Sequence, residues 1–130
     1  MISKITDLNN LKGIRISTSS YFIKKTHLKK NIKYLYKSVI TISNKSRNSI
    51  QILSKHKNVL EIYGVKKLNS ILKDKPIIEP GKKITLSLDY SIKSKLATIV
   101  GYFSIISLNN SYKFKAYIPK IKLTHPEILN

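Results

Sequence analysis

The sequence contains no cysteine. That absence excludes a disulfide framework, a thiolate zinc site and a cysteine nucleophile, and it fits a cytoplasmic protein. Long hydrophobic runs are missing as well. The longest are a few residues, such as 99–103, whereas a membrane-spanning helix needs about 20. Residues 1–16 hold no apolar stretch of signal-peptide length, so neither export nor membrane insertion is expected. Carboxylates are few: six, against 25 basic residues, for a net charge of +19. Arginine is almost absent too, since only Arg15 and Arg47 are arginines and every other basic residue is lysine. Arginine is the side chain suited to bidentate phosphate or guanine recognition. No stretch is rich enough in glycine, serine or proline to act as a linker, and no repeat is visible. The 130 residues therefore read as one domain spanning 1–130, with its core over 12–126. A chain of this length buries roughly two-thirds of the surface it exposes when unfolded.

The lysines run along the whole chain, and the sequence is equally rich in isoleucine and asparagine. That trio is what AT-rich codons favour, so compositional drift accounts for the charge better than a selected nucleic-acid surface. Drift predicts lysines on every face; selection predicts lysines gathered on one sheet face with exposed aromatics among them. Either way, the charge predicts salt-sensitive, non-specific polyanion binding.

The hydrophobic period is two. Tyr112, Phe114, Ala116 and Ile118 alternate with Lys113, Lys115 and Tyr117, giving one apolar and one wet face. Pro119 is expected to end that strand, because proline cannot donate to the ladder. Ile84, Leu86 and Leu88 alternate in the same way after the Pro80-Gly81 turn. Residues 34–44 and 96–108 are apolar on both faces and read as central strands. Further strands are expected at 50–60 and 14–21. Residues 24–33 are polar and read as a mobile loop, and a short helix is conceivable at 3–11. Turn signals stand at 44–48, 63–64, 80–81 and 109–111. About seven to eight short strands at 8–12-residue spacing mark an all-β sandwich or barrel.

Read in order, several segments are similar to those of one bacterial family. Ile40-Thr41-Ile42-Ser43-Asn44 resembles a strand ending T-I-x-N. Ile50-Gln51-Ile52-Leu53-Ser54-Lys55-His56 resembles V-Q-L-L-S-R-H. Pro76 to Lys82 resembles Q-P-x-L-x-P-G-E, Ile99 to Ile105 resembles M-x-G-x-Y-x-M, and Phe114 to Leu123 resembles F-x-V-x-I-P-x-F-x-L, with Pro126 beyond. Together they resemble the ApaG family over about three-quarters of the chain. The resemblance implies an immunoglobulin-like or fibronectin-III-like β-sandwich, a role as a protein-interaction module, and an indirect genetic link to cobalt and magnesium handling. The family's G-x-G-V-V-G falls on Leu68-Asn69-Ser70-Ile71-Leu72-Lys73, where all three glycines are gone. The tryptophan that follows its S-R-H pattern is Lys57 here, so residues 57–75 are where the transfer is weakest.

No constellation for catalysis stands out. Ser54 and His56 share a strand face, and strand rise separates them by about 7 Å, beyond hydrogen-bond reach; no acid is adjacent in sequence. His27, His56 and His125 lack a second ligand at metal-binding spacing. The acids Asp7, Glu61, Asp74, Glu79, Asp89 and Glu127 are scattered. The expectation is a non-enzymatic protein with no catalytic, metal or cofactor-binding residues, whose partner is another protein. Its candidate interaction surface is Lys113, Lys115 and Tyr117, and a basic nucleic-acid-binding β domain is the alternative. Without glycines to let backbone amides approach a phosphate, no specific nucleotide site is expected. Titration calorimetry with ATP at physiological salt should accordingly show no micromolar binding.

Overall fold

The computed structural model describes residues 13–126. The helix conceived at 3–11 lies outside them, as do Asp7 and Glu127. Eight strands run in chain order: β1 (Ile14–Leu28), β2 (Asn31–Asn44), β3 (Ile50–Glu61), β4 (Gly64–Ile71), β5 (Ile77–Ile78), β6 (Lys83–Ile92), β7 (Leu96–Ser107) and β8 (Tyr112–Thr124). They form two antiparallel sheets. One has the order β1-β2-β6; the other has β4-β3-β7-β8, with β5 continuing the β4 edge of β3. The expected all-β sandwich is thus the observed architecture. No helix among the described residues is long and apolar enough to cross a membrane.

The two-residue period explains the layers. Along β2, Tyr34, Tyr36, Ile40 and Ile42 are buried while Leu35, Val39 and Thr41 are half-buried on the other face. β7 does the same with Ile99, Phe103 and Ile105. The core lies between the sheets where these rows meet. Every turn signal is used, and Gly81 takes the left-handed φ of 80° that its turn requires.

Three expectations fail, each because pairing overrides side-chain pattern. Residues 24–33 are not a loop. They are the distal half of the β1–β2 hairpin, which reaches Leu28 opposite Asn31 around a two-residue turn. Both faces there are wet, so no alternation announces a strand, yet the backbone ladder continues. β1 accordingly runs past 21. Pro119 does not end β8, which continues to Thr124. It lies in a bulge where Pro119 and Lys120 together oppose Val100. β8 is an edge strand with its ladder interrupted at that point, and there the missing N–H costs nothing. The weakly read region 57–75 completes β3 and contributes β4, a mostly exposed edge strand.

The glycine of the 99–105 motif has a steric cause. A Cβ on Gly101 would lie 2.1 Å from the His56 carbonyl oxygen, so the backbones of β7 and β3 approach too closely for any side chain. The asparagine of the first motif has a polar one. Asn44 is fully buried, and its carboxamide Nδ2 donates to the carbonyls of Asn48 and Ile78, both at 2.8 Å. Its Oδ1 accepts from the Ser46 amide at 3.0 Å and the Ser46 hydroxyl at 2.6 Å. Two donors and two lone pairs are all satisfied. Replacing Asn44 by alanine would take the side-chain donor from the buried Ile78 carbonyl and the acceptor from the Ser46 amide, while the Asn48 carbonyl would keep the Ser46 hydroxyl at 3.0 Å. Asn44→Ala should lower unfolding free energy by about 2–4 kcal/mol in urea denaturation; a loss below about 0.5 kcal/mol would show that water replaces the side chain.

Candidate interaction surface

A bulge in β3 decides what faces out. Ile52 pairs with Ile105, but Ser54 pairs with Ser104, so Leu53 is the extra residue. Before it the even-numbered residues point into the core; after it the odd-numbered ones do. Ser54, His56 and Asn58 are thereby turned to the outer face of the β4-β3-β7-β8 sheet, and Lys57 and Val59 are turned inward.

On the outer face the register aligns Asn69, His56, Tyr102 and Tyr117 in one row across β4, β3, β7 and β8. The imidazole stacks on Tyr102 with centroids 4.6 Å apart and planes at 21°. Tyr117 packs beside Tyr102 at 5.7 Å. The Lys115 ammonium sits over the Tyr102 ring at 4.7 Å, a favourable cation–π position. His56 comes from β3 and Lys115 from β8, so the Tyr102 ring is engaged from both neighbouring strands. Lys113, opposite Ile106, lies along the same face. The three candidate residues Lys113, Lys115 and Tyr117 therefore share a surface, and His56, Tyr102 and Asn69 join them. A shallow open pocket of about 420 Å³ follows this row and includes Lys67, Asn69 and Tyr117 in its lining. Sheet register brings these residues together, and no single-strand pattern carries that information. Lysines also occupy the opposite sheet, the edges and the loops, as drift predicts. What distinguishes this face is that β4, β3, β7 and β8 place no carboxylate on it.

Ser54 and His56 need a correction. Ser54 Oγ lies 2.9 Å from His56 Nε2, within hydrogen-bond reach. The 7 Å separation by strand rise runs from backbone to backbone, and the imidazole leans along the strand to close it. Asn69 Oδ1 lies 3.2 Å from Nδ1. A carbonyl oxygen only accepts, so in the neutral ring Nδ1 carries the proton and Nε2 accepts from Ser54. Ser104 Oγ is also near Nε2, at 3.5 Å. The array fixes the ring for stacking.

The other histidines lie elsewhere. His125 is buried among Phe22 and Tyr34, with ring centroids at 4.5 and 5.2 Å, and His27 is exposed on β1. Among the described residues no three His, Asp or Glu side chains gather as a metal site.

Lys57 is the residue that sequence reading missed. It is 7% exposed, and its ammonium lies 4.7 Å from the centre of the Tyr90 ring on the facing sheet. Burial, and secondarily the Lys55 charge, lower its pKa to about 8. Burial likewise pushes Tyr90 up to about 12, opposed slightly by nearby Ser38, which makes no well-formed hydrogen bond to the buried phenol. The signal for Lys57 was available in part. The apolar positions of β3 are Ile50 and Ile52 and then Val59, and that change of parity requires a bulge between them.

In comparison with known proteins, no family model matches the chain. It is 24% identical over 133 residues to the protein named ApaG from Dechloromonas aromatica, across 97% of this chain and all of that one. It is 23% identical over 121 residues to ApaG from Thiobacillus denitrificans, across 90% and 94% of the two chains. Among solved structures, a structural-genomics target superposes with a TM-score of 0.85 at 20% identity, over 95% of this chain and 93% of that one. A Bordetella pertussis protein given the name ApaA superposes at 0.76 with 15% identity, over 87% and 94%. The structural likenesses establish the sandwich fold.

The sign of the Lys57 effect follows from its lowered pKa. The unfolded chain holds this proton up to about pH 10.5, the ordinary lysine value, whereas the folded chain releases it near 8. Between those values the unfolded state binds more protons, so stability rises with pH; below 8 the full penalty persists. Lys57→Met should therefore stabilise the protein at pH 7 by about 1–2 kcal/mol, the cost of burial less the lost cation–π contact. It should also flatten the rise in melting temperature between about pH 8 and 10.5, the window that the two pKa values define. An unchanged pH slope would place the ammonium in solvent.

Proposed function

We propose that this chain, ApaG-like in sequence along nearly its whole length, is a non-enzymatic protein-binding module acting in the cytoplasm. Its outer β4-β3-β7-β8 face docks an acidic surface of a partner protein. The observation that carries this reading is the prepacked row Asn69–His56–Tyr102–Tyr117 beside Lys113 and Lys115, on a face without carboxylates. Rigid aromatics that lose little entropy, flanked by lysines, suit a flat protein interface. Nucleic-acid stacking on Tyr102 is disfavoured because His56 already stacks on its ring and the Lys115 ammonium sits over it. The indirect link to cobalt and magnesium handling then passes through the partner and needs no metal bound here.

The test compares wild type with Lys113→Glu/Lys115→Glu and with Tyr117→Ala in affinity capture from nuclease-treated native lysate at moderate salt. All three substitutions fall on the wet face, so the variants should melt near wild type. A protein retained by wild type and lost from both variants supports the reading. Captured proteins that ignore these substitutions, or a catch that nuclease abolishes, would overturn it.

A further inference from the structure

Three turns meet at one end of the sandwich, away from the row just described. The β1–β2 hairpin projects past the end of β6, which stops at Ile92 opposite Tyr34. The β3–β4 turn carries Ile62 and Tyr63, and the β6–β7 turn carries Lys93 and Ser94. Between the first two lies an open groove of about 700 Å³, lined by Lys30, Ile32, Lys33, Tyr34, Tyr63 and Lys93 along with Asn31. A smaller pocket that also includes Tyr63 adds Lys66 and reuses Lys33 and Lys93. Its carboxylate, Glu61, accepts the Lys93 and Ser94 amides at 3.0 and 3.2 Å and the Ser94 hydroxyl at 3.0 Å. That carboxylate is spent on holding the β6–β7 turn, and so on setting where Lys93 stands.

The aromatic at this end differs in kind from Tyr102. Tyr63 is 70% exposed, with ammonium-bearing chains on both sides of its groove. Exposed aromatic faces beside a track of cations are what unstacked bases and their phosphates require. A base can stack on Tyr63 only when it is free of its neighbours in a helix, which a single strand supplies. We propose that this groove binds single-stranded nucleic acid, with a base stacked on Tyr63 and phosphates held by Lys30, Lys33 and Lys93. The absence of arginine in the groove makes the contact indifferent to base sequence. This surface is separate from the protein-docking face, so either assignment stands or falls without the other.

Fluorescence anisotropy with a labelled oligo-dT of about ten nucleotides, at near-physiological salt, tests it, with unlabelled inorganic polyphosphate and poly-glutamate as competitors. Tyr63→Ala should weaken oligonucleotide binding about 5- to 150-fold, the value of one stacked base, and leave polyphosphate affinity unchanged. Lys33→Gln/Lys93→Gln should weaken both and flatten the salt dependence by roughly one to one and a half units of logarithmic slope, at about 0.7 per phosphate. Lys113→Glu/Lys115→Glu should change oligonucleotide binding less than either. Three results would each overturn the proposal: no binding at this salt, Tyr63→Ala binding like wild type, or poly-glutamate displacing the oligonucleotide as well as polyphosphate does. The turn substitutions are solvent-facing, and a melting curve alongside confirms that each variant is folded.

Discussion

The sandwich depends on how its two sheets are joined at the Asn44 end, and one buried carboxamide makes that join. Asn44 closes β2 in the first sheet. Its side chain holds Ile78 of β5 in the second and the Ser46–Asn48 loop leading into β3. Its backbone accepts from Gly81 and donates to the Lys82 carbonyl, at 2.8 and 2.9 Å, fixing the turn into β6. The adjoining 46–48 loop and residues 78–82, more than thirty positions further along the chain, thus converge on one residue. A buried amide with every lone pair and proton engaged tolerates one arrangement and penalises the rest. At the opposite end the aromatic cluster of Phe22, Tyr34, Tyr36 and His125 packs beside the β6–β7 turn. There the Tyr36 hydroxyl donates to the Lys95 carbonyl at 3.2 Å. With both ends tied, apolar packing fills the space between.

Bulges decide the use to which this frame is put. Each adds one residue to one strand and so exchanges the strand's two faces beyond it. The β3 bulge turns His56 out to meet Tyr102 and turns Lys57 into the core. The β8 bulge lets Pro119 stay within a continuing strand. The β1 bulge, between Phe22 and Lys24, precedes the stretch that projects as a wet ribbon. The outer row and the groove at the hairpin end both follow from these insertions. They divide the surface into a closed, prepacked aromatic face and an open, cationic one with an unprotected ring.

Much of the frame was legible in the residues. The alternation in 112–118, 84–88 and 34–44, the turn dipeptides and the strand count gave the class and most strand positions. Lys113, Lys115 and Tyr117 could be placed together because they share one strand. His56, Tyr102 and Asn69 could not be joined to them, because cross-strand register depends on where the ladder slips. The Ser54–His56 contact was missed for a related reason: the backbone rise is fixed, but the reach of a side chain is not. The distal β1–β2 hairpin gave no sign because both of its faces are wet.

By itself, then, the sequence determined that the fold is an all-β sandwich, where most of its strands and turns fall, and that it brings lysine rather than arginine or carboxylate to its surface. Those properties follow from local rules of period, turn chemistry and charge. Tertiary structure alone decided which lysine is buried, which histidine meets which tyrosine, and which aromatic remains open beside the cations. These depend on bulges and register between strands up to dozens of residues apart. A one-residue slip there preserves the hydrophobic pattern of the chain while reversing which side of the sheet a side chain occupies.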